Sequence, residues 1–221
     1  MNKSKLSVLA CTMMFVCAAM LSSCGGDETP SQPEDKTTMY EESTVKDGDG
    51  NVIENITTIT DRGEGVGTMT FTKDKTWVLK GLVFVNSSQT LTIEPGTLIK
   101  GKSGQGDNAS ALIVARGASI MAEGTAAEPI VMTSETDGGQ LPATARGLWG
   151  GLIVLGNAGL NSSPGESAIE GIPTSETRGL YGGDNDADNS GSLAYISIRH
   201  GGTDIGAGNE INGLTLGGVG S

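Results

Sequence analysis

Three stretches of the chain can be laid over one another. Leu91–Ile99, Leu112–Ile120 and Leu152–Leu160 each read as a short aliphatic run, a corner and a second short run. Their starts lie 21 and then 40 residues apart, which reads as one turn of a coil followed by two. Pro129–Thr133 supplies the intervening turn, and Leu193–Ile198 and Asn212–Leu216 continue at a spacing of roughly 20 residues. Units this short cannot bury their own apolar face and must stack on one another. Gly96, Gly117 and Asn157 hold the same corner position, and Gly and Asn are the residues that tolerate a left-handed backbone. The pairs Leu91/Ile93, Leu112/Val114 and Leu152/Val154 would then line the inside of a narrow coil. The expected fold is all-β: a right-handed parallel β-helix with rungs about 4.8 Å apart. A sandwich of hairpins shares the short strands and Gly-rich turns, but not the self-similarity.

Composition agrees with a coil. Glycine numbers 35 of 221 residues without a Gly-X-Y period, and the aromatics are only two Trp, three Tyr and three Phe. A core of stacked Val, Ile and Leu needs few rings. The net charge of −12 argues against nucleic acid and anionic lipid as partners. A single histidine, His200, rules out any site needing two imidazoles.

The N-terminus carries an address. Lys3 and Lys5 precede an apolar run, Leu6–Met20, that is too short for a transmembrane helix. It ends in Leu21-Ser22-Ser23-Cys24, which resembles the lipobox of bacterial lipoproteins. That resemblance implies that Cys24 is acylated and becomes the mature N-terminus, anchored in the outer membrane. Cys11 and Cys17 leave with the signal peptide, so the mature chain has neither free thiol nor disulfide. Loss of Lys3 and Lys5 moves the net charge from −12 to −14. Gly25-Gly26-Asp27-Glu28 resembles the surface-export signal of bacteroidete-type lipoproteins. The expected organisation is a signal peptide over 1–23, an acidic Gly/Ser/Thr/Pro tether over 24–44, a β-rich capping region over 45–75 and the β-helix over 76–221. Asn55–Thr60 and Thr68–Thr72 alternate well enough to be the strands of that cap.

Further motifs fall in a recognisable order. Trp77-Val78-Leu79-Lys80-Gly81 leads to Leu91–Thr97, followed by Gly147–Ile153, Asp184–Gly191 and Ile198-Arg199-His200-Gly201-Gly202. In residues and order, positions 70–221 resemble the β-helix lipoproteins of bacteroidete-type bacteria. The resemblance implies a pectin-lyase-like fold without an established activity. Those proteins are usually longer, and this chain stops at Val219-Gly220-Ser221, so a β-helix incomplete at its C-terminus is expected.

Few motifs promise chemistry. Gly96–Ser103 matches the P-loop pattern, but Thr97–Lys100 reads as strand and no helix follows to cradle a phosphate, so no nucleotide is expected. Asp184, Asp186 and Asp188 alternate in a loop, a spacing that can converge oxygen ligands on Ca2+, although the pattern is not that of an EF-hand. A solvated acidic turn is the competing reading. Asp47–Asn51 reads as a hairpin turn. Arg199 should point outward from its strand, with His200 at the corner in a structural role. Trp77 and Trp149 are expected to pack rather than to stack on sugars. No catalytic residue is nominated. The expected role is a lipid-anchored scaffold or binding module for a glycan or protein, and the alternative is a polysaccharide lyase or hydrolase.

Overall fold

The computed structural model describes residues 35–206 and 209–220. The signal peptide, Cys24 and the first part of the tether lie outside the described residues. β1 (Met39–Lys46) and β2 (Val52–Thr60) form an antiparallel hairpin, and β3 (Met69–Phe71) follows. β4 (Thr76–Leu79), β5 (Leu82–Val85) and β6 (Thr90–Ile93) make the first complete coil. β7 (Leu98–Gly101), β8 (Ala111–Val114) and β9 (Ser119–Glu123) make the second. β10 (Ile130–Ser134) and β11 (Leu152–Leu155) begin the third. The chain then leaves on an excursion containing a small hairpin, β12 (Ser167–Ala168) and β13 (Leu180–Tyr181), before β14 (Gly191–Ala194) closes that coil. β15 (Ile196–Ile198), the hairpin β16 (Asp204–Gly206) and β17 (Asn209–Glu210), and β18 (Leu214–Gly217) follow.

Three parallel sheets result. Sheet A runs β2-β4-β7-β10-β15, with β1 added antiparallel at its edge; sheet B is β3-β6-β9-β14; sheet C is β5-β8-β11-β18. This is a three-sided parallel β-helix. Its interior is built from ladders: Trp77, Ile99, Met132 and Ile198 on sheet A, Leu91 and Ile120 on sheet B, and Val83, Leu112 and Leu152 on sheet C. Every apolar position nominated from the repeat belongs to this core.

The repeat spacing needs correction. Leu91 lies on sheet B and pairs with Ile120, whereas Leu112 lies on sheet C. Leu112 pairs directly with Leu152, so those 40 residues are one coil, and Ile130–Thr133 is another side of the coil rather than an intervening turn. The physical reason is local. Every corner joins two short strands with the same chemistry, so a strand–corner–strand unit does not reveal which of three sides it occupies.

The corners divide as well. Gly96 (φ 82°) and Gly117 (φ 80°) are left-handed, each in a tight turn closed by Thr97 N–H to the Glu94 carbonyl and Ala118 N–H to the Ala115 carbonyl. Sheet C register makes Ser88, Gly117 and Asn157 equivalent. Ser88 is left-handed at φ 67°, but Asn157 is not, because the chain there departs on its excursion instead of turning into sheet B.

Two boundaries also shift. β1 begins at Met39, inside the stretch read as tether, and Tyr40 fastens it through its hydroxyl to the Val66 carbonyl at 2.7 Å. β2 and β3 are rungs of sheets A and B rather than a separate cap, since both pair in parallel with the coil that follows. The turn between β1 and β2 is the Asp47–Asn51 hairpin, with the Asp47 carboxylate accepting the Asp49 and Asn51 amides.

Sheet C is buried on both faces. Phe84, Ile113, Ile153 and Leu155 point away from the coil interior and pack with Ile169, Ile172 and Ile211 in a second apolar cluster. The 156–190 excursion forms a strap over this face. Continuous apolar runs such as Leu152–Leu155 are the sequence signature of such strands.

Candidate functional site

Sheet A is the side whose outer face carries charge in register. Alternation places Trp77, Leu79, Ile99 and Met132 inside, so Val78, Lys80, Lys100 and Thr133 face outward. Pairing sets Val78, Lys100 and Thr133 side by side, and Arg199 follows Ile198, the partner of Met132. A second row holds Lys80, Lys102 and Glu135, because Leu79 pairs with Gly101 and Gly101 with Ser134. Neighbours within a row are one rung, about 4.8 Å, apart.

Lys102 is engaged by Glu135 at 3.1 Å, and Glu135 also accepts the Ser103 amide. Lys80 and Lys100 have no ion-pair partner among the described residues. Arg199 donates its Nε to the Ser197 hydroxyl at 3.0 Å and leaves the rest of its guanidinium toward solvent. A chain of net charge −12 thus carries three cations without a salt bridge on the outer side of sheet A, beside the Lys102–Glu135 pair.

The 135–148 loop walls this surface. Its anchor is Asp137, buried beside Thr133, whose hydroxyl donates to Asp137 Oδ2 at 2.8 Å, while the Gly139 amide donates to Oδ1 at 2.8 Å. The Thr133 hydroxyl first, then the Gly139 amide, hold the Asp137 carboxyl below the ordinary carboxylate range; burial opposes them, and His200 and Arg199 add to the lowering. His200 Nε2 lies 3.6 Å from Asp137 Oδ2, and its Nδ1 is 2.8 Å from the Ala145 carbonyl. His200 adopts φ 58°, a conformation uncommon for a residue with a side chain. Asp137, Leu141, Ala143, Arg199 and His200 border a cavity of about 390 Å³. Both ring nitrogens of His200 and both oxygens of Asp137 already face partners, so the pair serves to fix the loop.

The residues singled out from sequence are placed as follows. Of Asp184, Asp186 and Asp188, the last two make hydrogen bonds within the fold. Asp186 Oδ1 accepts the Gly159 amide at 2.9 Å, and Asp188 accepts from the Asn157 amide at 3.0 Å and the Ser190 hydroxyl at 2.9 Å. Among the described residues no group of three or more His, Cys, Asp or Glu side chains is arranged to hold a metal. The carboxylates of Asp186 and Asp188 thus clasp the end of the strap. The P-loop-like stretch contains β7 and is followed by a short 3-10 turn, Gly106–Asn108. Trp77 stacks on Phe71 with centroids 4.2 Å apart, and Trp149 is buried against Gly101 with its Nε1 donating to the Arg199 carbonyl. Among the described residues no helix is long and apolar enough to cross a membrane.

Sequence reasoning missed Lys80, Lys100 and Lys102 as a group. A signal existed: Lys80 and Lys102 are separated by the same number of residues as the paired Trp77 and Ile99. Asp137 carried none, because its partners come from β10 and the end of β15.

The fold defines the class of protein: a parallel β-helix, here with a loop walling one outer face. Residues 63–221 match the family model described as a pectate-lyase like beta helix domain, and the chain belongs to that family. No curated protein and no solved structure matches it at a significant level.

Proposed function

We propose that the protein is a lipid-anchored module of the cell envelope that holds an anionic glycan along the outer face of sheet A without cleaving it. One observation carries this reading: Lys80, Lys100 and Arg199 stand outward from sheet A at β4, β7 and β15, three of four successive rungs, without a salt bridge among the described residues. A linear polyanion laid across the rungs β4, β7, β10 and β15 meets a cation at the first, the second and the fourth. Screening over about 8 Å at physiological ionic strength lets this local patch act despite the acidity of the whole chain. Beside Arg199, the Asp137 carboxylate and the His200 imidazole are engaged in holding the loop. Acylation at Cys24 is the anchor, and Asp27 and Glu28 behind it direct the module to the cell surface.

Titration calorimetry of the full chain with polygalacturonate, against a neutral galactan, tests the reading. Expected is saturable, salt-sensitive binding to the acidic polymer alone, reduced by Lys100→Glu and Arg199→Glu, with no new reducing or unsaturated ends. Equal binding of the neutral polymer overturns it, and product formation favours the lyase or hydrolase alternative. Cys24→Ala should release the protein from membranes or leave an unprocessed precursor. A mature, membrane-bound variant would refute the anchor.

A further inference from the structure

A further cavity lies on a different side of the molecule, over the outer face of sheet C. It measures about 720 Å³, within the range of small-molecule sites. Its apolar surface comes from Leu82 on β5, Ala109 before β8, and Ile169, Ile172 and Pro173 on the strap. Ala109, Ile169 and Ile172 are themselves members of the second apolar cluster, with Leu82 packed against it, so the cavity is an opening into that cluster rather than a surface dimple. The strap can approach this closely because Gly171 has no side chain: a Cβ there would sit 2.5 Å from Ile211 Cγ1. The backbone at Gly171 is also left-handed, at φ 91°.

Among the described residues, a single charged side chain borders the space. Glu170 is exposed at the cavity, between Ile169 and Gly171, and its carboxylate has no hydrogen bond or ion pair among the described residues. Thr174 and Asn209 supply the remaining polar groups. An apolar pocket with one unpaired carboxylate at its edge is complementary to a molecule with an apolar body and one positive end. The net charge of −12 raises the local concentration of such cations and lowers that of anions.

We infer that the cleft between the strap and sheet C is a second binding site, which takes a small amphipathic amine with its alkyl or aryl part against Leu82, Ile172 and Pro173 and its ammonium group on Glu170. The site is separate in residues and in charge from the basic rows of sheet A.

Octylammonium, octanoate and octanol, below their micellar concentrations, are the probes for calorimetry on the full chain. Octylammonium should bind saturably and more tightly than octanol, and octanoate most weakly. Glu170→Gln should reduce octylammonium affinity about three- to fivefold, the range of an exposed ion pair, and leave octanol unchanged. Thr174→Trp, at the rim, should block all three while preserving the melting temperature. Lys100→Glu should leave octylammonium binding intact even where it abolishes glycan binding, so the two readings fail separately. Absence of octylammonium binding overturns the inference. So does octanoate binding as tight as octylammonium, or binding that survives Thr174→Trp.

Discussion

Replacing Asp61 by alanine should be among the most damaging single changes outside the coil interior. Asp61 follows β2 and its side chain is fully buried. Oδ1 accepts the amides of Gly63 at 2.7 Å and Gly65 at 3.0 Å, with the Thr38 hydroxyl at 3.3 Å. Oδ2 accepts the Phe84 amide at 3.1 Å and Arg178 Nη1 at 2.8 Å. Arg178 comes from the strap, lies over the Phe84 ring at 3.8 Å from its centroid, and is gripped from its other side by Glu176. One carboxylate thus joins the N-terminal loop, the first strand of sheet C and the strap. Removing it strands buried amides, at about 1–3 kcal/mol for each unsatisfied group, and leaves a largely buried guanidinium with one partner fewer. These losses overlap, so the expected total is about 3–5 kcal/mol, the usual cost of breaking a buried pair from one side. Arg178→Met should cost less, about 1–3 kcal/mol, because Asp61 retains its amide donors. Urea unfolding followed by the fluorescence of Trp77 and Trp149 measures both, and the double variant gives the coupling between them. An Asp61→Ala variant within about 1 kcal/mol of the parent would refute the clasp, as would strictly additive effects.

The corner argument predicts that Gly117→Val costs about 1–3 kcal/mol, from strain at φ 80° and from crowding of Ser87 Oγ, 2.8 Å from the added Cβ, whereas Gly117→Asn is milder. Ser88→Gly, at the equivalent position, should leave the melting temperature unchanged or higher; equal harm from all three removes the argument. For Asp137 the sign follows from its lowered carboxyl: the stability it adds is complete above about pH 4, the unfolded value, and is lost as pH falls through the lower folded one. Asp137→Asn should therefore be less stable than the parent at pH 6 and lose less stability on acidification to pH 3, and parallel pH profiles for the two proteins would contradict the assignment.

What could be read from the residues was the existence of stacked rungs and the membership of the core. Leu91/Ile93, Leu112/Val114 and Leu152/Val154 alternate inward, and that period survives any error about sides. The side each unit occupies was not legible, because a corner asks for the same chemistry wherever it stands: Gly96 joins sheet B to sheet A, and Gly117 joins sheet C to sheet B. Asn157 looked like a third corner and instead uses its side chain to hold Asp188. The double burial of sheet C was visible in its unbroken apolar runs, but its cover, Ile169, Ile172 and Ile211, comes from segments with no period of their own. The basic rows were obscured because Lys100 and Lys102 also complete a nucleotide-binding pattern. Asp61 and Arg178 are 117 positions apart, and no local spacing connects them.

The connections between strands are unequally long, and the inequality has a direction. From sheet B to sheet A the chain takes short paths, at 72–75, 94–97, 124–129 and residue 195. From sheet A to sheet C it takes 80–81, then 102–110, 135–151 and 199–213. The long paths lie against one another: Thr203 donates to the Gly104 carbonyl, and the Leu148 amide to that of His200. Material is therefore added along this edge, and at 156–190 along the edge from sheet C to sheet B, while the edge from sheet B to sheet A stays taut. An insertion on the crowded edge changes what the molecule can touch and leaves the register of every rung unaltered. A lineage built on this coil can diversify its recognition surface in the manner of a keyboard, one loop per turn, without refolding the frame that carries it.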